Sequence, residues 1–392
     1  MNAHQIRRNV SLYKLFVIFN EPLLWGPVVI SSIQQLGHMP LADVYFMESS
    51  VMVLCVLLDI PSGALADQIG RKKALIIGRL LLLASTIGFA FMTSPLTAWL
   101  ANAVWAIGYS FQSNADTSLI YDSLKSVKAE KEFKRIQGCA VGSRYLLIGI
   151  CSLAVGPLAA MNMRIPALLC IPFAFIPLVV AFLFTEAAPT QRYDVRKQVA
   201  LIKEGVMFAI RKPEVRWITA FYALIGGASK IWFFTYNPYF EVVGIDLKFY
   251  GVIFALLNLV AWLSSRYAHR IEQTLGERMC IIVMIACIAG PILLMGLVPI
   301  WPMAYLVLCQ NIVRGLINPF KEDYANRHIE HDHMRTTVRS VQSSTCSAIS
   351  IATLSLFGLM TAHMSLLHSL VILGALVLTL GLASYRSYTK LF

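Results

Sequence analysis

Long apolar runs alternate with short polar or charged segments along the whole chain. A hydrocarbon core about 30 Å thick requires roughly twenty apolar residues in each helix that crosses it. Dividing the sequence at charges, prolines and glycines gives twelve runs of that kind. In the first half they are 12–35, 41–64, 74–93, 97–123, 135–160 and 165–185, and in the second half 214–240, 248–269, 278–298, 301–324, 336–361 and 365–386. The pattern predicts an all-α membrane protein with twelve transmembrane helices.

The composition agrees with a membrane protein and argues against two other classes. Of the 392 residues, 57% are hydrophobic and only 14% are charged, whereas about 25% of the residues in a soluble domain are charged. The net charge of +12 would suit nucleic-acid binding, but the basic residues lie between apolar runs and form no continuous stripe. We therefore expect the lipid bilayer as a partner, and no nucleic acid.

The distribution of Lys and Arg predicts the orientation of the chain. Counting the 33 Lys and Arg residues loop by loop places Arg164 and Lys248 on one side of the membrane, places Arg144, Lys230 and Arg314 inside spans, and assigns all others to the opposite side. Cytoplasmic loops carry the excess of positive charge. The count predicts a multi-pass protein of the bacterial inner membrane with both termini in the cytoplasm. The first apolar run is long enough to span and lacks a cleavage site, so we interpret it as a helix and not a signal peptide.

A polar, basic segment between the second and third spans carries the most specific pattern in the chain. Its fixed positions are Gly63, Leu65, Ala66, Asp67, Gly70, Arg71, Lys72 and Leu75. The segment resembles the loop signature of the major facilitator superfamily, with Gln68 in place of the usual Arg. The resemblance implies the major facilitator fold, with two six-helix bundles at 1–185 and 214–392 joined by a cytoplasmic linker at 186–213.

In that family the loop acts as a conformational latch. The matching loop residues here are Gly63, Asp67, Gly70, Arg71 and Lys72. The resemblance implies that Asp67 meets the start of span eleven at Arg335, and that Arg71 pairs with Asp122 at the end of span four. A decayed copy of the loop follows span eight around Gly276.

Charged residues inside spans are candidates for functional residues. Inserting each of them into the membrane costs some 2.5–3.5 kcal/mol of free energy, so each needs a partner or a wet cavity. The first half contains Glu21, Glu48, Asp116 and Arg144, and the second half contains Lys230 and Arg314. Asp116 and Arg144 lie at similar depths in consecutive spans, so an ion pair between them is geometrically plausible. Such a pair serves either structure or function, and the sequence does not choose between the two.

The first half offers carboxylates inside its spans, whereas the second half offers two cations. This asymmetry points to a substrate class. Spans one, four, seven and ten line the central cavity in the family, and each carries one of these charges. We assign proton coupling to Glu21 or Asp116, with Glu48 and Arg144 as further candidates. Anion binding is assigned to Lys230 and Arg314, and an aromatic cavity wall to Trp232 and Tyr236. The alternatives are snorkelling cations and an interfacial aromatic belt.

Three further features have plain interpretations. The eight cysteines lie within predicted spans without a CxxC pair, which is typical of packing residues. His328, His331 and His333 suggest a metal site, but a solvated loop is the better interpretation. Gly156 and Pro157 resemble a weakened form of the Gly-Pro signature of the family's antiporters, and close helix packing explains them as well. We expect no metal, no cofactor and no enzymatic activity.

Together these features predict a secondary transporter that works by alternating access. The expected activity is proton-coupled export of a small amphipathic compound, either anionic or zwitterionic. The expected partners are that compound and H⁺, and the expected state is a monomer. An organic-anion uptake symporter, a lipid flippase of the same fold and a non-transporting membrane sensor are the alternatives.

Overall fold

A computed structural model describes residues 3–127, 129, 132–186, 207, 211–328 and 332–391. Nearly all of these residues are helical, and no strand occurs among them. The helices of the first half are α1 (Ala3–Ile18), α2 (Val29–Leu36), α3 (Leu41–Ile69), α4 (Arg71–Ala90), α5 (Pro95–Lys125), α6 (Phe133–Met161) and α7 (Ile165–Leu183). Those of the second half are α8 (Pro213–Val242), α9 (Tyr250–Leu297), α10 (Val307–His328), α11 (Asp332–His363) and α12 (Leu366–Leu391).

The first predicted span is not one continuous helix. α1 ends at Ile18, and the chain becomes helical again only with a short 3₁₀ turn at Gly26–Val28, which leads into α2. Pro22 lies in the interruption and Pro27 in the turn. Proline lacks the backbone N–H that an α-helix requires, so two prolines so close together favour a break. The prediction of a single helix at 12–35 is therefore wrong.

Two other boundaries differ from the prediction. α3 passes through Pro61 and continues to Ile69, so most of the latch segment is helical and the turn is confined to Gly70, whose φ is 99°. α9 joins the predicted eighth and ninth spans, with a kink at Gly276, where φ is 74° and ψ is 162°. Glycine alone adopts this backbone geometry without steric cost.

The helix lengths agree with a polytopic membrane protein. Within the described part of the chain, eight helices are long and apolar enough to cross a membrane, and one of them, at Leu247–Leu297, covers two predicted spans. The remaining predicted spans correspond to the broken pair α1 and α2, to α5, and to α10. The helices are consistent with twelve crossings.

The chain forms two compact units. The first comprises Met1–Met39, Val51–Val195 and Leu247–Ala255, and the second comprises Pro40–Ser50, Arg196–Asp246 and Leu256–Phe392. Each unit thus includes a short segment from the other half of the sequence. The predicted bundle bounds at 1–185 and 214–392 stay a prediction. Most of the linker at 186–213 lies outside the described residues.

Both short segments pack closely inside their own unit. In the first unit, a Cβ added to Gly156 of α6 would lie 2.2 Å from the carbonyl oxygen of Lys248. One added to Gly251 would lie 1.9 Å from the carbonyl oxygen of Ser152. Two backbones come this close only where glycine removes the side chain.

In the second unit, the beginning of α3 is fixed by a buried tyrosine. The hydroxyl of Tyr45 is hydrogen-bonded to the hydroxyl of Thr235 at 2.8 Å. The Tyr45 ring lies edge-on to Phe357, with 5.2 Å between the ring centroids. This arrangement satisfies the polar end of the tyrosine while the ring is buried.

Candidate functional site

The second unit contains a cavity between α8, α9 and α10. It has about 350 Å³ of space between its atoms, part of which is open to the surroundings. Its lining residues are Ser229, Trp232, Phe233, Tyr236, Leu257, Val307, Gln310, Asn311 and Arg314. The cavity therefore combines aromatic rings, amides and a cation.

Several polar atoms around this cavity lack a hydrogen-bond partner among the described residues. They are the Oγ atom of Ser229, the Nε1 atom of Trp232 and both amide atoms of Gln310, all of them buried. Leaving a buried donor or acceptor unsatisfied costs free energy, so native proteins rarely do it without a reason. A ligand that offers both acceptors and donors would satisfy these atoms.

The two predicted anion binders occupy different surroundings. Arg314 lines the cavity, and its Cζ atom lies 5.6 Å from the centroid of the Phe233 ring. Lys230 does not line the cavity; its Nζ atom lies 5.3 Å from the centroid of Phe234. The structure thus brings Arg314 together with Trp232 and Tyr236, and places Lys230 beside them on α8.

A cluster of charges lies in the first unit. Arg144 of α6 is paired with Glu21, with 3.3 Å between Nη1 and Oε1. The sequence suggested Asp116 as the partner of Arg144, and that suggestion is wrong. The reason is the break between α1 and α2, which contains Glu21 and which the sequence pattern treated as regular helix.

Asp116 instead interacts electrostatically with Arg79. Arg79 lies in α4, is only 4% exposed, and has its guanidinium 4.5 Å from the centroid of the Phe16 ring. The loop-by-loop count of charges assigns Arg79 to the cytoplasmic side, although Arg79 falls within the predicted third span at 74–93. Its position inside that span is the sequence signal that identifies it as a buried charge.

The four predicted proton-coupling residues are divided between the units. Glu21, Asp116 and Arg144 lie in the first unit, around Arg79. Glu48 is half-buried in the part of α3 that belongs to the second unit. Their role in coupling stays a prediction.

The latch segment forms a charged network in the first unit. The guanidinium of Arg71 is bound to the carboxylate of Asp122, and its Nε atom lies 3.5 Å from Oδ1 of Asp67. The backbone N–H of Arg71 donates to Oε1 of Glu186 at 2.5 Å, a contact that the sequence did not suggest. Gly70 lies against the same carboxylate, because a Cβ at this position would be 3.1 Å from Oε2 of Glu186.

The other predicted latch residues make no contact that we describe in this charged network. Gly63 is buried within α3, and Lys72 is half-buried in the first turn of α4. Arg335 lies in α11, but its side chain lies outside the described residues. The contact between Asp67 and span eleven therefore stays a prediction, as does the role of the network as a latch.

The expected absence of a metal site stays a prediction. In the described part of the chain, no group of three or more His, Cys, Asp or Glu side chains is arranged to hold a metal ion. The side chains of His328, His331 and His333 lie outside the described residues.

Comparison with known families decides the assignment of the fold. The family model for the Major Facilitator Superfamily matches residues 10–355. The chain belongs to the Major Facilitator Superfamily. A search among curated proteins finds no match.

Solved structures of this superfamily resemble the chain over nearly its whole length. The nucleoside transporter NupG matches with a TM-score of 0.79 at 12% identity, covering 97% of this chain and 99% of NupG. A bacterial homologue of the human lysosomal transporter Spinster matches with a TM-score of 0.73 at 14% identity, covering 99% and 98%. A POT family transporter in complex with 5-aminolevulinic acid matches with a TM-score of 0.77 at 12% identity, covering 98% and 96%.

At these identities the likeness establishes the fold and not the substrate. The family and its structural neighbours identify a multi-pass membrane transporter and not an enzyme. A transporter of this fold acts on a small-molecule substrate. The sequence resemblance at the loop signature is thereby confirmed.

Proposed function

We propose that this chain is a proton-coupled secondary transporter that exports a small amphipathic anion or zwitterion by alternating access. The observation that supports the substrate class is the cavity of the second unit. There Arg314 lies over Phe233, close to Trp232, Tyr236 and Gln310. This combination offers a separate partner for each part of an amphipathic molecule.

Each group in the cavity has a definite role in this proposal. The guanidinium of Arg314 binds the anionic group, because its planar fork matches two oxygens of a carboxylate or phosphate. The rings of Trp232 and Tyr236 contact the apolar part of the substrate. The amide of Gln310 and the hydroxyl of Ser229 exchange hydrogen bonds with its polar atoms, which would relieve their present lack of partners.

Proton coupling is assigned to the charge cluster of the first unit. Glu21 and Asp116 are carboxylates beside the cations Arg144 and Arg79. A carboxylate inside a span is stabilised as an ion by a nearby cation and as a neutral acid by desolvation. A change in its surroundings during the transport cycle would therefore bind or release a proton.

Export is the preferred direction, and uptake of an organic anion is the alternative. The Gly156-Pro157 pair, which resembles the antiporter signature, supports export. The close approach of Gly156 to Lys248 shows that the glycine also serves packing, so the pair alone gives limited support for direction.

A neutral heteroaromatic substrate is a second candidate, favoured by Gln310. Both its amide donor and its amide acceptor are available in a cavity with aromatic walls. That arrangement fits a nucleobase-like ring, which presents donors and acceptors along one edge. The nucleoside transporter among the structural neighbours shares the fold.

Thermal unfolding of the purified protein with charged probes tests the substrate class. The probes are 1-naphthalenesulfonate as an anion, tryptophan as a zwitterion, 1-naphthylmethylammonium as a cation and uridine as a neutral heteroaromatic. A ligand at one hundred times its Kd adds about 2.7 kcal/mol of stability. We expect the anion or the zwitterion to stabilise the wild type, and the effect to be clearly smaller in Arg314→Gln.

Arg266→Gln is the matched control. Arg266 also lies near an aromatic ring, 5.4 Å from the centroid of Trp262, but it is exposed and does not line the cavity. Stabilisation by the cation alone, or stabilisation by the anion that is as large in Arg314→Gln as in the wild type, would overturn the proposed site. Stabilisation by uridine in both variants would favour the heteroaromatic candidate.

Liposomes that contain the protein and a pH-sensitive dye test the coupling. Addition of the stabilising compound should shift the internal pH in the wild type, and Asp116→Asn or Glu21→Gln should abolish that shift while transport down a gradient continues. Transport without any proton movement in the wild type would refute the coupling.

A further inference from the structure

A second cavity lies within the first unit, separate from the proposed substrate site. It is lined by the break between α1 and α2 together with α4, α5 and α7, and it has about 630 Å³ of space between its atoms, part of which is open to the surroundings. Its walls are rich in aromatic rings, including Phe19, Trp25, Phe89 and Trp105. Trp25 and Phe89 are in contact, with 4.7 Å between their ring centroids.

Arg79 is a buried cation in the wall of this cavity. Its Nε and Nη2 atoms are buried and have no hydrogen-bond partner among the described residues. These two nitrogens lie on the same edge of the guanidinium, so their N–H groups point in nearly the same direction. That edge is the fork with which arginine binds both oxygens of a carboxylate.

The charged neighbours of Arg79 form no hydrogen bond with this edge. Asp116 and Glu21 interact with Arg79 electrostatically, and Glu21 is already paired with Arg144. The carboxylate of Asp116 accepts a hydrogen bond from the backbone N–H of Thr117. Neither acid supplies an acceptor to Nε or Nη2 of Arg79, although Glu21 also lines the cavity.

We propose that the cavity of the first unit binds an aryl or alkyl carboxylate. The two oxygens of the ligand accept hydrogen bonds from Nε and Nη2 of Arg79. Its apolar part contacts the rings of Trp25, Phe89 and Trp105. An aromatic acid from water and a fatty acid from the bilayer share this chemistry, and both are tested. The inference does not depend on the proposed role of Arg314.

The first test compares charged and neutral probes on the wild-type protein, purified in detergent. The pairs are 2-naphthoate against 2-naphthamide, and laurate against methyl laurate, with binding measured by quenching of tryptophan fluorescence and by titration calorimetry. We expect at least one carboxylate to bind ten or more times tighter than its neutral analogue. Equal affinities within both pairs, or no binding of either acid, would overturn the proposal.

The second test uses variants of the cation. Arg79→Lys keeps the charge but loses the fork, so it should weaken carboxylate binding about tenfold or more, and Arg79→Gln should weaken it further. Arg135→Gln is the control, because Arg135 is exposed near the beginning of α6 and does not line the cavity. Unchanged binding in a folded Arg79→Gln protein would also overturn the proposal.

The two sites can be separated by a third variant. Arg314→Gln removes the cation from the cavity of the second unit and leaves Arg79 in place. The Arg79-dependent part of carboxylate binding should therefore persist in this variant. If Arg314 proves not to bind the substrate, the expected carboxylate binding at Arg79 is unaffected. Loss of all carboxylate binding in Arg314→Gln would assign the acid to the second unit and refute the site at Arg79.

Discussion

Arg144 is bound to Glu21 across 123 positions of the sequence, with 3.3 Å between Nη1 and Oε1. The pair connects α6 to the irregular segment that interrupts the first span. The Glu21 side chain is 50% exposed and that of Arg144 is 17% exposed. The interaction therefore fixes the interrupted segment in place, while one of its members stays accessible.

We predict a measurable but modest coupling between these two residues. In a double-mutant cycle with Glu21→Gln and Arg144→Gln, the coupling free energy should be about 0.5–1 kcal/mol, because Glu21 is half exposed and screening weakens the pair. Unfolding in mixed micelles measures it. The exposed pair Glu132 and Arg135 serves as the control, with a coupling close to zero. Fully additive effects of Glu21→Gln and Arg144→Gln would contradict the prediction.

The loop network predicts a difference between two aspartates. Asp122 contacts Arg71 directly and its side chain is 8% exposed, whereas Asp67 lies 3.5 Å from Arg71 and is 15% exposed. Removing one partner of a buried pair costs about 3–5 kcal/mol, and we expect about 3 kcal/mol for Asp122→Asn. For Asp67→Asn we expect below about 1 kcal/mol, with lower transport and unchanged ligand binding.

Unfolding measurements and transport in liposomes, made on the same two variants, check this prediction. Equal destabilisation by Asp67→Asn and Asp122→Asn would show that the two carboxylates share the role. Full transport activity in a well-expressed Asp67→Asn protein would refute its part in the latch.

The sequence predicted this network better than the charge cluster of the first unit. Gly70 and Arg71 belong to a long signature with fixed spacing, and the resemblance to the family implied the pairing of Arg71 with Asp122. The pairing of Arg144 could not follow from depth in the membrane, because depth was counted along ideal helices. Glu21 lies in a break of the helix, and a break changes both the direction and the depth of every residue in it.

Close packing of α6 against the beginning of α9 gives a third prediction. A Cβ at Gly156 or at Gly251 would lie within 2.2 Å of a backbone oxygen that cannot move without shifting a helix. Overpacking costs about 1–3 kcal/mol or more, so Gly156→Ala and Gly251→Ala should each destabilise the protein by at least that amount. Thermal unfolding measures the loss.

Gly149→Ala is the control for this packing. Gly149 lies in the same helix as Gly156, and nothing lies within 4 Å of a Cβ added there. Because alanine favours helices by about 1 kcal/mol over glycine, this variant should be neutral or slightly more stable. A similar loss of stability in Gly149→Ala and Gly156→Ala would show that helix packing is not the cause.

Only some of the residues that line the cavity of the second unit could be predicted from the sequence. Arg314, Trp232 and Tyr236 could be proposed because a charge or an aromatic cluster inside a span is visible in the sequence. Gln310 gave no such signal, since an amide in a span is commonly satisfied by a neighbouring helix. Its importance comes from the absence of a hydrogen-bond partner among the described residues, and only the packing of α8, α9 and α10 reveals that.

Replacement of Gln310 should therefore change the stability of the ligand-free protein and its binding of ligand in opposite directions. Its side chain is buried at 3% exposure with neither amide atom satisfied. An unsatisfied buried polar group costs about 1–3 kcal/mol, and methionine has nearly the same shape without that cost. We expect Gln310→Met to stabilise the ligand-free protein by about 1 kcal/mol or more and to lose the stabilisation by ligand.

Gln342→Met is the matched control. Gln342 is 1% exposed and its Nε2 atom is also unsatisfied among the described residues, but it does not line the cavity. Gln342→Met should leave ligand binding unchanged. If Gln310→Met binds ligand as the wild type does, the amide is not part of the binding site. If it loses stability without ligand, the amide has a structural partner, and the argument from its unsatisfied atoms fails.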